Sequence, residues 1–244
     1  MKMQNDLIYL ASGIFNINTN IYNAYLAKQL EARGYNCFLP QRDGFEVANY
    51  FIFLEAAREY FSEEEASIIS HYVPYYLDLG YFMSRSIATV ANIDEPVDLG
   101  MVVEIAYARF CNIPVIGLRT DLRSPLGNAT DVIGINPFPV EQCDCYIKAD
   151  TPTGGYDEII EATNVIIDKI EEKLREWIAR KKSNMTENDN PIIKDIIKGS
   201  DILFTDLDMN EIHTKESMKE IAERFIENKK FFLANAPELV SIKA

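Results

Sequence analysis

The sequence predicts an α/β fold, a doubly wound parallel sheet with helices on its faces. Three observations predict it. Short apolar runs with β character alternate with helical patterns through about residue 120. The chain opens with strand, helix and strand in about thirty residues, a βαβ unit that implies parallel strands. Turn-forming residues, Ser12-Gly13, Gly34 and Pro40, punctuate the ends of these runs.

Each element follows in order. LIYLA at 7–11 is a short apolar strand, ended by Ser12-Gly13. Thr19 or Asn20 caps a helix through about Arg33, with Ile21, Tyr22, Tyr25, Leu26 and Leu30 at helical spacing. Gly34 stops it. Residues 35–39 form a second strand ending at Pro40. Residues 46–76 are aromatic-rich and mostly helical in pattern, and Ser62 with Glu65 makes a capping box. Residues 78–86 predict another helix and IATVANI at 87–93 a buried strand. A polar loop at 94–100 leads into a helix at 101–111, and 114–118 is the next strand. Residues 121–156 are rich in Pro, Gly and Asn, which predicts loops with room for one strand. A long helix spans 157–182, with Ile159, Ile160, Ile166, Ile167 and Ile170 toward a core. The polar stretch SNMTENDN at 183–190 reads as a linker. Residues 191–244 form a helical C-terminal appendage, with helix signals at 191–198 and 215–228. The expected division is therefore a main domain at 1–182, a linker at 183–190 and a small appendage at 191–244. There is no internal repeat.

The 244 residues are 48% hydrophobic and 25% charged, an ordinary globular composition, and carry a net charge of −14. That charge argues against a nucleic-acid-binding surface and against docking on anionic lipid. Residues 7–27 lack charge, but Ser12, Asn16, Asn18, Thr19, Asn20 and Asn23 interrupt the run, so no membrane span is expected. Asp6 before the run and the lack of a clean apolar core argue against a signal peptide, so a cytoplasmic location is expected. The four cysteines are Cys37, Cys111, Cys143 and Cys145, and the histidines are His71 and His213. Neither finger spacing nor a cluster of zinc ligands occurs. Two histidines also give little support to a Ser-His-Asp or Cys-His mechanism. No metal and no cofactor are expected. Carboxylates and hydroxyls must carry the chemistry.

In open parallel sheets ligands bind beyond the carboxyl ends of the strands. Ser12, Gly13 and Phe15 follow the first strand, and Gln41, Arg42 and Asp43 the second. Asp94, Glu95 and Asp98 follow the third, and Glu104 lies about a turn inside the next helix. Acidic groups thus converge on one edge without matching basic groups. Neighbouring carboxylates raise one another's pKa, so one can serve as acid while another stays ionised. Glu104 stands among apolar and small residues, where a buried carboxylate is costly unless bonded or used. The plainer reading is an exposed first-turn Glu favoured by the helix dipole. Asp98 and Asp78 read equally well as helix caps, Tyr9 as strand packing, and the segment from Gln41 to Gly44 as a turn. The aromatics at 50–76 read as packing. LFTDLD at 203–208 carries a D-x-D without the sheet such a motif needs.

The segment N-I-D-E-P-V-D-L-G-M-V-V-E-I-A-Y-A at 92–108 resembles the signature of the nucleoside 2-deoxyribosyltransferases. The segments I-Y-L-A-S-G-I-F at 8–15, L-P-Q-R-D-G at 39–44 and N-I-P-V-I-G-L-R-T-D at 112–121 are similar too, in the family's order. The resemblance covers about residues 7–121. It implies a flavodoxin-like, five-stranded sheet and a catalytic domain over 1–182. It further implies that Glu104 is a nucleophile, attacking C1′ of a 2′-deoxynucleoside to form a covalent deoxyribosyl-enzyme. Asp98 and Asp78 would then be the acidic residues at the base, with Asp98 helping to protonate it. Tyr9 would orient the nucleophile. Gln41 would contact the base, and Ser12, Gly13 and Phe15 would line the pocket. Asn136 or Asn128 matches an asparagine that a neighbouring subunit brings to the sugar, so a homo-oligomer is implied. The implied partners are small deoxynucleosides and free nucleobases, not a nucleic-acid polymer or a membrane. Hydrolysis of deoxynucleosides or their 5′-monophosphates is the neighbouring reading. A TIR-like NAD glycohydrolase and a sensing or scaffold module with an idle site are two others. The longer 46–76 region and residues 165–244 depart from compact family members.

Overall fold

The computed structural model describes residues 6–121, 136–149, 154–180 and 189–234. In chain order its elements are β1 (Leu7–Ala11), α1 (Ile17–Ala32), β2 (Asn36–Phe38), α2 (Pro40–Asp43), α3 (Ala48–Arg58) and α4 (Glu63–Tyr75). A π-helical segment (Tyr76–Met83) follows, then β3 (Ala88–Asn92), α5 (Leu99–Phe110), β4 (Val115–Arg119), α6 (Pro137–Val140) and β5 (Cys145–Lys148). The chain ends with α7 (Tyr156–Arg180), α8 (Pro191–Phe204), α9 (Lys215–Glu227) and α10 (Lys229–Leu233). No described helix is long and apolar enough to cross a membrane.

The strands form one parallel sheet in the order β2-β1-β3-β4-β5. This is the doubly wound, flavodoxin-like order that the sequence predicts. Register is set by alternation. Ile8 and Leu10 of β1 join Val90, Ile116 and Leu118 on one face, packed by Leu26, Ala27 and Leu30 of α1 and by Ile166, Ile167, Ile170 and Leu174 of α7. The intervening Tyr9 must face the other side, where its hydroxyl meets a side chain of α5. Polar ties fix α1 to α7 at the rim of that core. Arg33 reaches Asp168 at 2.6 Å and Glu171 at 3.1 Å, and the Tyr25 hydroxyl donates to Asn164 at 2.8 Å.

Helix α1 starts earlier than the expected Thr19 or Asn20 cap. Asn16 has extended backbone and its side chain accepts from the Thr19 N–H, so the helix begins at Ile17. Gly34, at φ 96°, ends it in the left-handed region that favours glycine. The Ser62–Glu65 capping box forms as expected. The helix expected at 78–86 is instead a π-helical run at Tyr76–Met83.

The domain division differs from the expected one. Residues 45–81 cluster with residues 190–244 in one compact unit, and residues 1–44 with 82–189 in another. The expected appendage therefore does not stand alone. Helices α3 and α4 pack against α9, and α8 against α9. Close approaches explain why. A Cβ on Gly199 would lie 2.3 Å from the Tyr76 ring, and one on Gly80 would lie 2.6 Å from Ser200 Cβ. The stacked Phe225 and Phe232 rings meet Tyr72 and Tyr76. A stretch of aromatic helix at 45–81 thus finds its apolar partners far along the chain. Asp78 belongs to this second unit and is buried there.

Two predictions come from this packing. Gly117 of β4 leaves no room for a methyl group, since a Cβ would lie 2.6 Å from Cys143 Sγ and 2.8 Å from Ile93 Cδ1. Gly117→Ala should cost about 1–3 kcal/mol in urea denaturation, the usual range for overpacking. Burial pushes the Cys37 thiol up to about 12, helped by the Glu31 carboxylate. A raised acid pKa means that the native state holds a proton the unfolded state releases. That stability is present below the unfolded thiol pKa and is lost as pH rises from about 9 toward 12. Denaturation midpoints should fall over that window, and less steeply in Cys37→Ala.

Candidate functional site

The C-terminal ends of β1, β3 and β4 open onto a cleft of about 490 Å³ in the first unit. Ser12, Gly13, Phe15, Asn16, Asn18, Thr19 and Tyr22 line it from β1 and α1. Asn92, Asp94, Glu95, Pro96 and Asp98 line it after β3, and Thr120 after β4. The position follows from topology. Beyond β1 the chain winds toward β2, beyond β3 toward β4, and a crevice opens where the two directions part.

Two exposed loop ends would be poorly fixed without cross-links, and the sequence supplies them. Asp94 Oδ1 accepts from the Thr120 N–H at 2.7 Å and the Asp121 N–H at 3.0 Å, and its Oδ2 accepts from the Thr120 hydroxyl at 2.6 Å. Asn92 Oδ1 accepts from the Asp94 N–H at 3.0 Å. The Glu95 N–H donates to Asp121 at 3.2 Å. Arg119 lies beneath them, only 2% exposed. Its guanidinium donates to the Ile93 carbonyl at 2.6 Å and the Asp121 carbonyl at 3.2 Å, and lies 3.6 Å from the Glu95 carboxylate. A buried cation with these partners offsets the acidic loops above it. Asp94, read from sequence as a loop residue, is the acceptor that joins the β3 and β4 loops.

The resemblance-derived residues fall into three sets. Tyr9, fully buried in β1, donates its hydroxyl to Glu104 Oε1 at 2.8 Å. Glu104 itself is half-buried. Asp98 caps α5 by accepting from the Met101 N–H at 2.8 Å, and its carboxylate packs beside Gly13. Each pair joins β1 or its turn to α5; Gly13 and Asp98 line the cleft, and Tyr9 and Glu104 are not among its lining residues. Ser12 and Phe15 line the cleft, Ser12 nearly buried and Phe15 81% exposed. Gln41 is not among the lining residues. Its amide donates to the Asn20 carbonyl at 2.8 Å and accepts from Asn23 at 3.2 Å, which fixes α2 to α1. Asn136 caps α6, accepting from the Phe138 N–H at 3.1 Å, and does not line the cleft. Asn128 lies outside the described residues. Asp78 is in the second unit and contributes nothing to the lining.

Sequence reading passed over Tyr22, Asn16, Asn18, Asn92 and Thr120 as site residues. The signal for the α1 residues was present: a run of asparagine and threonine at 16–20, directly after a strand end, is placed on the cleft by the βα turn. Nothing marks Thr120, whose role depends on the pairing of β4 with β3. Among the described residues, no Lys or Arg lines the cleft. Among the described residues, no group of three or more His, Cys, Asp or Glu is arranged to hold a metal. The charged side chains among the described lining residues, Asp94, Glu95 and Asp98, are all acidic, which disfavours an anion beside them.

Comparison with protein-family models and with curated proteins gives no match. Among solved structures, the crystal structure of a conserved protein from Enterococcus faecalis V583 is similar, at 18% identity and a TM-score of 0.44, covering 69% of this chain and 98% of that one.

The loop bracing is open to test. Asp94→Ala removes the acceptor shared by three donors and should cost about 2–4 kcal/mol, since hydrogen bonds to charged groups are worth about 1.5–3 kcal/mol each. Asp94→Asn keeps an acceptor and should lose less. Equal stability of all three proteins in thermal melts would contradict this bracing.

Proposed function

We propose that the chain transfers 2-deoxyribose between nucleobases through a covalent intermediate on Glu104. The observation that carries the reading is the buried Tyr9 hydroxyl donating to Glu104 at 2.8 Å, on the same helix whose Asp98 cap lines the cleft. A phenol in that position holds the carboxylate in one orientation. The 2′-deoxy preference rests on the family resemblance alone.

In the first step the Glu104 carboxylate attacks C1′. The oxygen–carbon bond forms as the N-glycosidic bond breaks, and the electron pair leaves with the base. Asp98, in its carboxylic acid form, gives its proton to the departing nitrogen. In the second step the nitrogen of an incoming base attacks C1′, gives its proton to the Asp98 carboxylate, and releases Glu104. One difficult displacement becomes two easier ones, with retention at C1′. The described rim, acidic at Asp94, Glu95 and Asp98, supports a free nucleoside over its 5′-monophosphate.

The test is chromatography of 2′-deoxyinosine incubated with the protein, with and without adenine. Deoxyadenosine that forms only with adenine supports transfer. Hypoxanthine and free deoxyribose in both tubes would instead make the protein a hydrolase. Glu104→Ala should reduce turnover at least about a thousandfold while leaving the melting curve intact, because the nucleophile itself is gone. Tyr9→Phe should lower kcat about tenfold to a hundredfold, the worth of one hydrogen bond to a charged group. Wild-type rates in Glu104→Ala would remove the mechanism.

A further inference from the structure

Tyr22 lines the cleft from the second turn of α1. Its phenolic oxygen is shut off from solvent and has no hydrogen-bond partner among the described residues. Buried hydroxyls are nearly always paired, and leaving one idle is destabilising. Burial, with the Asp94 carboxylate nearby, also pushes its pKa well above the ordinary tyrosine value, so it is a neutral phenol with a proton to donate. Asp94 is not its acceptor: the carboxylate takes its hydrogen bonds from Thr120 and Asp121. Around Tyr22 the described lining offers Ser12, Asn16, Asn18 and Thr19.

We propose that Tyr22 is a substrate-binding residue, whose hydroxyl donates a hydrogen bond to an acceptor atom of the neutral nucleoside held in the cleft. The ligand class rests on the transfer reading above. The idle phenol is the cost that the unliganded protein bears and the bound ligand removes. A site built to bond a polar atom also discriminates strongly against an analogue lacking it, which makes Tyr22 a specificity residue.

The molecule holds its own control. Tyr146 of β5 also has a buried hydroxyl without a partner among the described residues, but it does not line the cleft. The experiment compares wild type, Tyr22→Phe and Tyr146→Phe by ligand-free melting and by isothermal titration with 2′-deoxyinosine and with hypoxanthine. Phenylalanine keeps the ring packing in both variants. Tyr22→Phe is expected to melt no lower than wild type and to bind 2′-deoxyinosine about three- to tenfold more weakly, the loss of one neutral hydrogen bond. Tyr146→Phe is expected to melt no lower and to bind as wild type does. Unchanged binding in Tyr22→Phe would overturn the assignment while leaving the transfer reading intact. So would a lower melting temperature in Tyr22→Phe, which would mark a structural phenol. A wild type that binds neither compound would overturn the nucleoside reading and this assignment together.

Discussion

A parallel sheet sends the ends of all its strands to one edge. In the order β2-β1-β3-β4-β5, the chain leaves β1 and β3 in opposite directions. Everything at the site depends on that parting. It opens the cleft, and it brings the turn after β1 against the start of α5, where Gly13 meets Asp98. It also leaves loop backbone at the strand ends that no ladder can satisfy. Asp94, Arg119 and Asp121 bond that backbone across the β3 and β4 loops, so the cleft wall is fixed before any ligand arrives. Preorganised polar groups of this kind cost no reorganisation when charge moves.

The same sheet explains how a carboxylate is held on an apolar helix. Alternation along β1 assigns Ile8 and Leu10 to the α1–α7 core and turns Tyr9 to the opposite face. There the phenol finds Glu104, three residues after Met101, whose N–H is held by the Asp98 cap. Moving the register by one residue would put Tyr9 in the wrong core and leave Glu104 without this partner. Structural necessity and the proposed chemistry therefore converge on a pair of side chains that are 95 residues apart in sequence.

Local signals were legible in the sequence. The strands, the Gly34 stop, the Ser62–Glu65 box and the Asp98 cap each depend on a few neighbouring residues, and each is found in the structure. What depends on distant residues was not legible. The partnership of 45–81 with the C-terminal helices rests on Gly199 against Tyr76 and Phe225 against Tyr72, contacts that no local pattern announces. The shift of the α1 start from Thr19 to Ile17 has a smaller cause, the choice among several capable caps in an Asn- and Thr-rich run. At the site, the strand-end rule pointed to Ser12, Gly13, Phe15 and Asp98, all of which line the cleft. It could not tell that Gln41 is consumed by α1, nor that Tyr22 comes round to the cleft wall, because both depend on how α1 lies on the sheet.

The central claim is a covalent bond between Glu104 and the sugar, and peptide mapping tests it most directly. The protein would be incubated with 2′-deoxyinosine without an acceptor base, quenched in acid, digested and examined by mass spectrometry. The account predicts one deoxyribosyl group on the peptide that contains Glu104, lost when adenine is added before quenching. Base release with no adduct, or an adduct on another residue, would contradict it.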